Sequence, residues 1–441
     1  MSAGATSGSA APTAADAPGQ RLMSLDALRG FDMFWILGGD VAIRTASTIT
    51  QAPGADAFSP LGWLAAQFSH KDWAGFAFYD LIFPLFVFIA GVSLVWSLTK
   101  ERELHGRAGA LKRVARRAAL LFLLGIFYSG GLTREWPDIR LLGVLQRIAL
   151  CYLFAGLIFC FFNVRAMAAI AAGLLLGYWA LMGLAPVRDI QLNKPDLAKL
   201  CESRGDAKGA ALFQDAANPS AAKHSAAWAK AREMFDATTA RTGGTFEPGR
   251  NLSNHLDFQF LPGRKYDTFY DPEGILSTLP AIVTCLLGVF AGLFLRSSNF
   301  TDSQKVNWLL AAGAAGVALG FAWGLAFPVV KKIWTSSYVL VAGGYSALLL
   351  AAFYYVVDVR QWRTWCRPFV WIGVNSITIY VANNLLQFRT VAARFAGGDV
   401  KKFLDTRLSD GAGNLFITLL GFALIFWFVH FLYKRRIFLR L

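Results

Sequence analysis

Apolar blocks of about 20 residues, the length at which an α-helix crosses a bilayer, recur along this chain between short polar segments. Proline and glycine mark several of the block ends, where they interrupt helical periodicity. The spans predicted from this pattern are 27–48, 78–98, 115–131, 140–161, 166–185, 274–295, 307–328, 336–357, 368–388 and 413–433. The pattern therefore predicts an all-α fold, a polytopic membrane helix bundle of about ten transmembrane helices.

Two longer segments lie outside these blocks. Residues 1–20 are rich in Ala, Ser, Gly and Pro, which predicts a disordered N-terminal tail. Residues 187–272 form a polar insert, and the Asp206–Thr239 part of it shows the weak periodicity of a small pair of surface helices. The chain thus divides into the tail, residues 21–186 with helices 1–5, the insert, and residues 273–441 with helices 6–10 and a basic tail.

Composition and charge agree with a membrane protein. Hydrophobic residues make up 55% of the chain and charged residues only 16%, against about 25% in soluble domains. The net charge of +15 comes from basic residues between the apolar blocks, most densely at 100–117 and 434–440. By the positive-inside rule both termini are cytoplasmic, and the 187–272 insert faces the opposite side. Five basic residues in the loop 389–407 go against this topology. Since no basic soluble domain is present, we expect no nucleic-acid partner.

The expected setting is the lipid bilayer of a bacterial inner (plasma) membrane, with the insert in the periplasm. The five cysteines lack metal-ligand or disulfide spacing, so no metal site is expected. Small-residue helix faces such as Gly313–Gly324 permit close packing between helices. They leave a monomer and a homodimer both open.

Polar side chains inside the apolar spans carry the first functional signal. Charged groups at membrane depth cost a few kcal/mol on insertion scales, so they should face the bundle interior or a wet cavity. These residues are Asp32, Asp40, Asp80, Gln146, Arg147, Asn375, Asn383 and Asn384. Each could simply pair with another to hold helices together. At 1.5 Å per residue, however, Asp40, Asp80, Arg147, Asn383 and Asn384 could form one layer in the outer half of the bundle.

His70 stands directly above that layer, in the sequence SHKDW that precedes the second span. Histidine can act as base or acid near neutral pH, so this position favours proton transfer at the outer membrane boundary. The alternative is an interfacial histidine without chemistry. Glu273, at the outer start of the sixth span, either favours the helix N-terminus electrostatically or contacts a substrate.

Three basic residues near the cytoplasmic face are candidates for holding a phosphate-bearing donor: Arg29, Arg113 and Arg117. Each has a simpler explanation. Arg29 and Asp26 stand at positions i and i+3 of one helix face, and positive-inside topology alone accounts for Arg113 and Arg117.

Several ordered motifs resemble the heparan-α-glucosaminide N-acetyltransferase family and its bacterial relatives. They are RLMSLDALRGFDMFWILGGD, the H-x-x-W-x-G-F-x-x-x-D-L-I-F-P-L-F run from His70, LLGVLQRIALCYLFAG, YDPEGILSTLPAI and WTSSYVL. The resemblance implies a transmembrane enzyme that takes an acetyl group from cytosolic acetyl-CoA. The acceptor would be the amine of a terminal glucosamine on the far side of the membrane.

The resemblance also implies site residues. The histidine of the H-x-x-W motif is the proposed catalytic residue of the family and maps to His70. A polar residue late in the first span, an asparagine in the lysosomal enzyme, corresponds here to Asp40, which can take a proton where an amide cannot. We therefore expect His70 as base or acyl carrier, with Asp40 or Asp80 orienting it. In the alternative, Asp40 or Asp80 holds the sugar. The expected substrate contacts are Asp80, Arg147, Asn383, Asn384 and Glu273.

Two other classes of function remain open from the sequence. Buried carboxylates beside an arginine, together with glycine-rich spans, also fit a secondary transporter of a small anion or sugar, although no pair of matching halves is visible. A catalytically idle relative that scaffolds an envelope complex is the third possibility. The amino-sugar or glycan acceptor itself cannot be named from the sequence.

Overall fold

Helices dominate the structure, a computed structural model that describes residues 22–50, 60–214 and 225–438. The α-helices are α1 Met23–Phe34, α2 Asp40–Thr50, α3 Pro60–Gln67, α4 Phe78–Tyr128, α5 Val144–Phe161, α6 Val164–Leu184, α7 Lys194–Ser203, α8 Ala207–Gln214, α9 Ala226–Ala237, α10 Leu252–Phe260, α11 Thr278–Arg296, α12 Asp302–Gly324, α13 Ser336–Phe353, α14 Arg367–Val374, α15 Ser376–Leu386, α16 Phe388–Ala396, α17 Asp399–Arg407 and α18 Ala412–Lys434. Two short strands, β1 Val187–Arg188 and β2 Arg241–Thr242, pair antiparallel. The tail predicted at 1–20 lies outside the described residues.

Within the described ranges, seven helices are long and apolar enough to cross a membrane, or eight if the bent pair α14–α15 counts as one. The all-α membrane bundle is therefore confirmed. Helical segments overlap each of the ten predicted spans. The number of crossings and the cytoplasmic position of both termini stay predictions.

Helix α4 contains two of the predicted spans because it folds back on itself at Gly106. The backbone there has φ 66°, a conformation that glycine adopts without a steric penalty. Arg113 on the second arm donates to Ser97 on the first arm at 2.9 Å and pairs with Glu101 at 2.7 Å. The two arms, 78–105 and 107–128, are therefore antiparallel neighbours.

Two predicted spans are interrupted. A π-helical turn, Trp35–Gly39, joins α1 to α2, and Gly38 within it has non-helical dihedrals. The span predicted at 368–388 is bent by 80° between α14 and α15. The bend lies at Asn375, whose φ of −121° and ψ of 24° leave the helical region. Hydropathy alone predicted continuous helices here, since such breaks do not change the apolar content.

Three central helices, α4, α11 and α13, pack against one another. A Cβ atom at Gly288 of α11 would collide with the backbone of Phe88, so α11 packs directly against the first arm of α4. At the start of α13, the Tyr338 hydroxyl donates to the backbone carbonyl oxygen of Asp80 at 2.7 Å. Trp334 donates from Nε1 to Thr284 of α11 at 3.1 Å. The first turns of α4 and α13 and the second turn of α11 are thereby held together.

The insert forms a small unit with its own apolar core. The helix pair predicted at Asp206–Thr239 is present as α8 and α9, on either side of residues that the structure does not describe. Leu197 of α7, Phe235 of α9 and Phe258 of α10 are buried together in this core. The ring of His255 also lies there, and its Nε2 is 3.0 Å from the carbonyl oxygen of Gly249 and 3.2 Å from that of Ile190.

Acidification should destabilise this insert through His255. Burial lowers the pKa of His255 from 6.5 to about 4. The folded state therefore binds fewer protons than the unfolded state between these values, and stability is lost as the pH falls from 6.5 towards 4. The full loss is about 3 kcal/mol at 1.36 kcal/mol per pH unit. We expect the melting temperature of the purified protein to fall across this range, and to fall less steeply for His255→Gln.

The matched control is His105→Gln, at an exposed histidine beside the turn of α4. This variant should keep the wild-type pH slope. Equal slopes for His255→Gln and the wild type would contradict the assignment.

Candidate active site

The segment that carries His70 is tied to two other parts of the chain through its backbone and one indole. Gly75 donates its amide to the carbonyl oxygen of Val329 at 2.9 Å, and Ala74 forms an antiparallel bridge with Val330. The Trp73 Nε1 donates to the carbonyl oxygen of Phe246 in the insert at 2.7 Å. These contacts fix the segment between the insert and the loop after α12.

Asp80 is the carboxylate that contacts His70. The His70 Nδ1 lies 2.8 Å from the Asp80 Oδ1, and the two side chains are 52% and 1% exposed. The other oxygen, Oδ2, accepts from the backbone amides of Ala77 at 3.1 Å and Lys71 at 3.3 Å. An ionised carboxylate only accepts hydrogen bonds, so a proton on the Nδ1 completes this contact and leaves the Nε2 as the nitrogen that can act as a base. The contact fixes the orientation of the imidazole beside the start of α4.

Lys331 completes the group and was missed from the sequence. Its Nζ lies 3.5 Å from the Asp80 Oδ1, 3.0 Å from the His70 Nδ1 and 3.4 Å from the Nε2. Burial lowers the pKa of Lys331 despite the attraction of Asp80. One feature of the sequence could have pointed to Lys331. In the predicted topology, Lys331 and Lys332 lie on the outer side of the membrane, and the positive-inside rule does not explain basic residues there.

Among the contacts of the described residues, Asp40 is connected to this group through Tyr79. The Tyr79 ring packs on the His70 ring with centroids 4.5 Å apart, and Tyr79 interacts with the Asp40 carboxylate. Asp40 itself is buried and pairs with Arg44 at 2.5 Å. Of the two carboxylates expected to orient His70, Asp80 therefore makes the contact and Asp40 does not.

A second ionic cluster lies at the start of α11. Arg140 donates from Nε and Nη2 to the two oxygens of Asp271 at 2.9 and 2.7 Å, and from Nη2 to Glu273 at 2.7 Å. Burial, then the neighbouring Asp271, raises the pKa of Glu273 to about 7. Glu273 thus lies where the sequence placed it, but its partner Arg140 was not foreseen. Arg140 lies four residues before the start of α5 and belongs to none of the motifs identified in the sequence.

Arg147 is almost fully buried and keeps two of its nitrogens without a partner. Its Nη2 donates to the Ser277 hydroxyl at 2.5 Å and to the carbonyl oxygen of Gly274 at 3.4 Å. The guanidinium lies 4.9 Å above the Trp334 ring. Among the described residues, its Nε and Nη1 have no hydrogen-bond acceptor. The guanidinium can therefore still donate to a carbonyl or an anionic oxygen of a ligand.

Tyr338 and Trp334 connect the two clusters. The Tyr338 hydroxyl bonds to the backbone of Asp80, its ring lies 5.1 Å from that of Trp334, and Trp334 covers Arg147. The predicted outer layer thus assembles around Asp80 and Arg147, with Glu273 beside it. No described hydrogen bond or ion pair joins Asn383 or Asn384 to this layer, and Asn384 is exposed.

The three candidate donor-binding arginines lie along one stretch of the bundle. Arg29 donates to Ser93 at 2.6 Å and pairs with Asp26 at 3.3 Å. Arg113 bonds to Ser97, which is one helical turn from Ser93. Arg117 follows Arg113 by one turn, with its guanidinium 4.7 Å above the Tyr152 ring. The contacts of these three side chains thus follow one face of α4 from Ser93 to Arg117.

Removal of Arg140 should strongly destabilise the protein. Asp271 and Glu273 would be left as carboxylates without their cation, and breaking a buried pair in this way costs about 3–5 kcal/mol. We expect Arg140→Gln to lower the melting temperature at pH 8. Acidification to below about pH 6 should restore part of it, because the uncompensated carboxyls then take up protons.

The exposed Arg134 of the same loop supplies the control. Arg134→Gln should melt like the wild type, and Arg140→Gln combined with Glu273→Gln should recover part of the loss. An Arg140→Gln protein with an unchanged melting temperature at pH 8 would rule out this role.

Comparison with known proteins shows a distant relationship to one group of membrane enzymes. The chain is 27% identical over 339 residues to heparan-alpha-glucosaminide N-acetyltransferase of Homo sapiens, and 26% identical over 343 residues to that of Mus musculus. Each match covers 73% of this chain and 49% of the relative, so the chain spans about half the length of the curated relatives it matches. No family model matches the chain. The chain is therefore an integral membrane protein related to the heparan-alpha-glucosaminide N-acetyltransferases.

Proposed function

We propose that this protein is a transmembrane N-acetyltransferase. It takes an acetyl group from cytosolic acetyl-CoA and delivers it to the amine of a glucosamine-like sugar on the periplasmic side of a bacterial inner membrane. The observation that carries the proposal is the half-exposed His70 imidazole, whose Nδ1 is held at 2.8 Å by the buried Asp80 carboxylate. The relationship to acetyltransferases supports the reaction class.

The site residues fit the requirements of acyl transfer from a thioester. An amino sugar arrives mainly as its ammonium, so a base must first remove a proton from nitrogen. The His70 Nε2 takes that proton, and Asp80 stabilises the imidazolium that results. The amine nitrogen then forms a bond with the acetyl carbon as the C–S bond breaks. In the acyl-carrier alternative, the Nε2 attacks the acetyl carbon first as the C–S bond breaks. The amine then attacks the same carbon, and the bond to the imidazole breaks.

Arg147 is the proposed electrophile for the acetyl carbonyl. Developing negative charge on the carbonyl oxygen would be stabilised by a preorganised donor in a site shielded from water. The free Nε and Nη1 of the buried Arg147 are donors of this kind. Glu273, beside Arg140, is the proposed contact for the sugar.

The proposed topology places the two substrates on opposite sides. Ten crossings and cytoplasmic termini would put His70 outside and Arg29, Arg113 and Arg117 inside. These arginines would hold the phosphates of the CoA nucleotide. The pantetheine arm would then have to pass between helices towards the layer of Asp80 and Arg147.

The test is transfer by the purified protein in detergent. Isotopically labelled acetyl-CoA is incubated with glucosamine and with oligosaccharides that end in glucosamine, and the products are analysed by mass spectrometry. We expect an acetylated amine and one CoA thiol for each transfer. N-Acetylglucosamine, which has no free amine, should accept nothing. Uptake of the sugar into proteoliposomes without release of CoA would instead indicate a transporter.

A further inference from the structure

One buried carboxylate in the bundle has no part in the contacts described so far. Asp32 of α1 is fully buried, and neither of its oxygens accepts a hydrogen bond from a described residue. Arg29 stands three residues earlier on the helix, but its guanidinium contacts Asp26, Ser93 and the carbonyl oxygen of Gly373. Burying an ionised carboxylate without a partner costs free energy in an interior that excludes water. Such a residue is therefore expected where it exchanges a proton or binds a ligand.

Asp32 belongs to the same predicted span as Asp40, which interacts with Tyr79 beside His70. Tyr79 packs on the His70 ring and is also close enough to Asp32 for an electrostatic interaction. Asp32 and Asp40 are eight residues apart in the chain, on either side of the π-helical turn Trp35–Gly39. Tyr79 therefore contacts both the half-exposed imidazole of His70 and Asp40, one of the two buried carboxylates of the first span.

Further polar atoms without partners occur at the same level of the bundle. The Trp35 Nε1, one turn beyond Asp32, is buried without an acceptor among the described residues. The same holds for both side-chain polar atoms of Asn375 and for the Thr378 hydroxyl, at the bend between α14 and α15. Helix α15 packs on α1 and on the π-helical turn that follows it. Buried polar groups of this kind are satisfied by exchange with water or with a bound group.

Acetyl transfer has a proton to dispose of. Two N–H bonds of the acceptor ammonium break, one N–C bond forms, and the thioester C–S bond breaks. One of the two protons ends on the CoA sulfur, and the other is released. We propose that Asp32 carries a proton between the His70 group and the inner half of the bundle, through Tyr79 and Asp40. This inference rests on the acetyltransferase function proposed above.

The test compares Asp32→Asn with the wild type under saturating acetyl-CoA and glucosamine. The substitution keeps the size of the side chain but cannot exchange a proton in the same way. We expect kcat to fall about tenfold or more, with KM for both substrates within about twofold, because binding is untouched and proton transfer becomes limiting. The solvent isotope effect on kcat should increase. Azide, a small weak acid, should restore part of kcat as its concentration rises.

Two further variants separate proton transfer from a structural effect. Asp32→Glu retains a carboxyl group and should keep most of the activity, whereas Asp405→Asn removes a carboxylate from α17 and should behave like the wild type. An Asp32→Asn protein with wild-type kcat and isotope effect would overturn this inference and leave the acetyltransferase proposal standing. A slow Asp32→Asn protein that azide does not rescue would also overturn it. Absence of transfer by the wild type would overturn both.

Discussion

Replacing His70 by alanine is expected to reduce acetyl transfer by about 10³-fold or more in kcat. General-base catalysis alone contributes about 10²–10⁴-fold, and an acyl-carrier role would make the loss larger. The fold should survive, because the His70 side chain is 52% exposed and the segment is held mainly by other contacts. The measurement is CoA thiol release and acetylated glucosamine by the purified variant, with its melting temperature recorded beside them.

Two comparisons make the result on His70 specific. His105→Ala removes an exposed histidine at the end of the first arm of α4, beside the turn at Gly106, and should transfer acetyl groups at the wild-type rate. Rapid acid quench and mass spectrometry of the wild type would then separate the two chemical roles. An acetyl group recovered on the His70 peptide indicates an acyl carrier, and its absence indicates a base. A wild-type rate for His70→Ala would remove this imidazole from the mechanism.

Asp80→Asn should produce the second-largest loss, about 10²–10³-fold in kcat. The amide oxygen can still accept from the backbone amides of Lys71 and Ala77, so the start of α4 should keep its geometry. The negative charge that stabilises the imidazolium is lost, however, and an amide can hold the wrong tautomer of His70. The loss should therefore appear in kcat more than in KM for either substrate.

The neighbouring Asp72 is the matched control. It is exposed, two residues from His70, and has no ion-pair partner among the described residues, so Asp72→Asn should keep the wild-type rate. Equal kcat values for Asp80→Asn and the wild type would show that Asp80 has only a structural role.

The parts of the site that the sequence predicted are local in the chain. His70 and Asp80 are ten residues apart, on either side of a helix start, so a short motif contains both partners. The apolar blocks likewise mark the helices, since bilayer length and hydropathy determine them. Glu273 and Arg147 were found because charged residues at the depth or edge of a membrane are rare.

The missed parts depend on contacts between distant segments. Lys331 and Arg140 come from loops, and only the folded chain shows that one reaches Asp80 and the other reaches Asp271. The bend at Asn375 is a matter of backbone dihedrals, which hydropathy does not report. Asn383 and Asn384 were placed in the layer by counting along a straight helix, and the 80° bend removes the basis for that count.

The hydrogen bonds that hold the segment around His70 have an evolutionary consequence. Two of them end on main-chain carbonyl oxygens, those of Phe246 and Val329, which every amino acid supplies. The side chains at these positions can therefore be exchanged for other apolar residues, while the loop beside the imidazole keeps its backbone conformation. Homologues with a remodelled insert would keep the imidazole in the same position while the surface beside it changes.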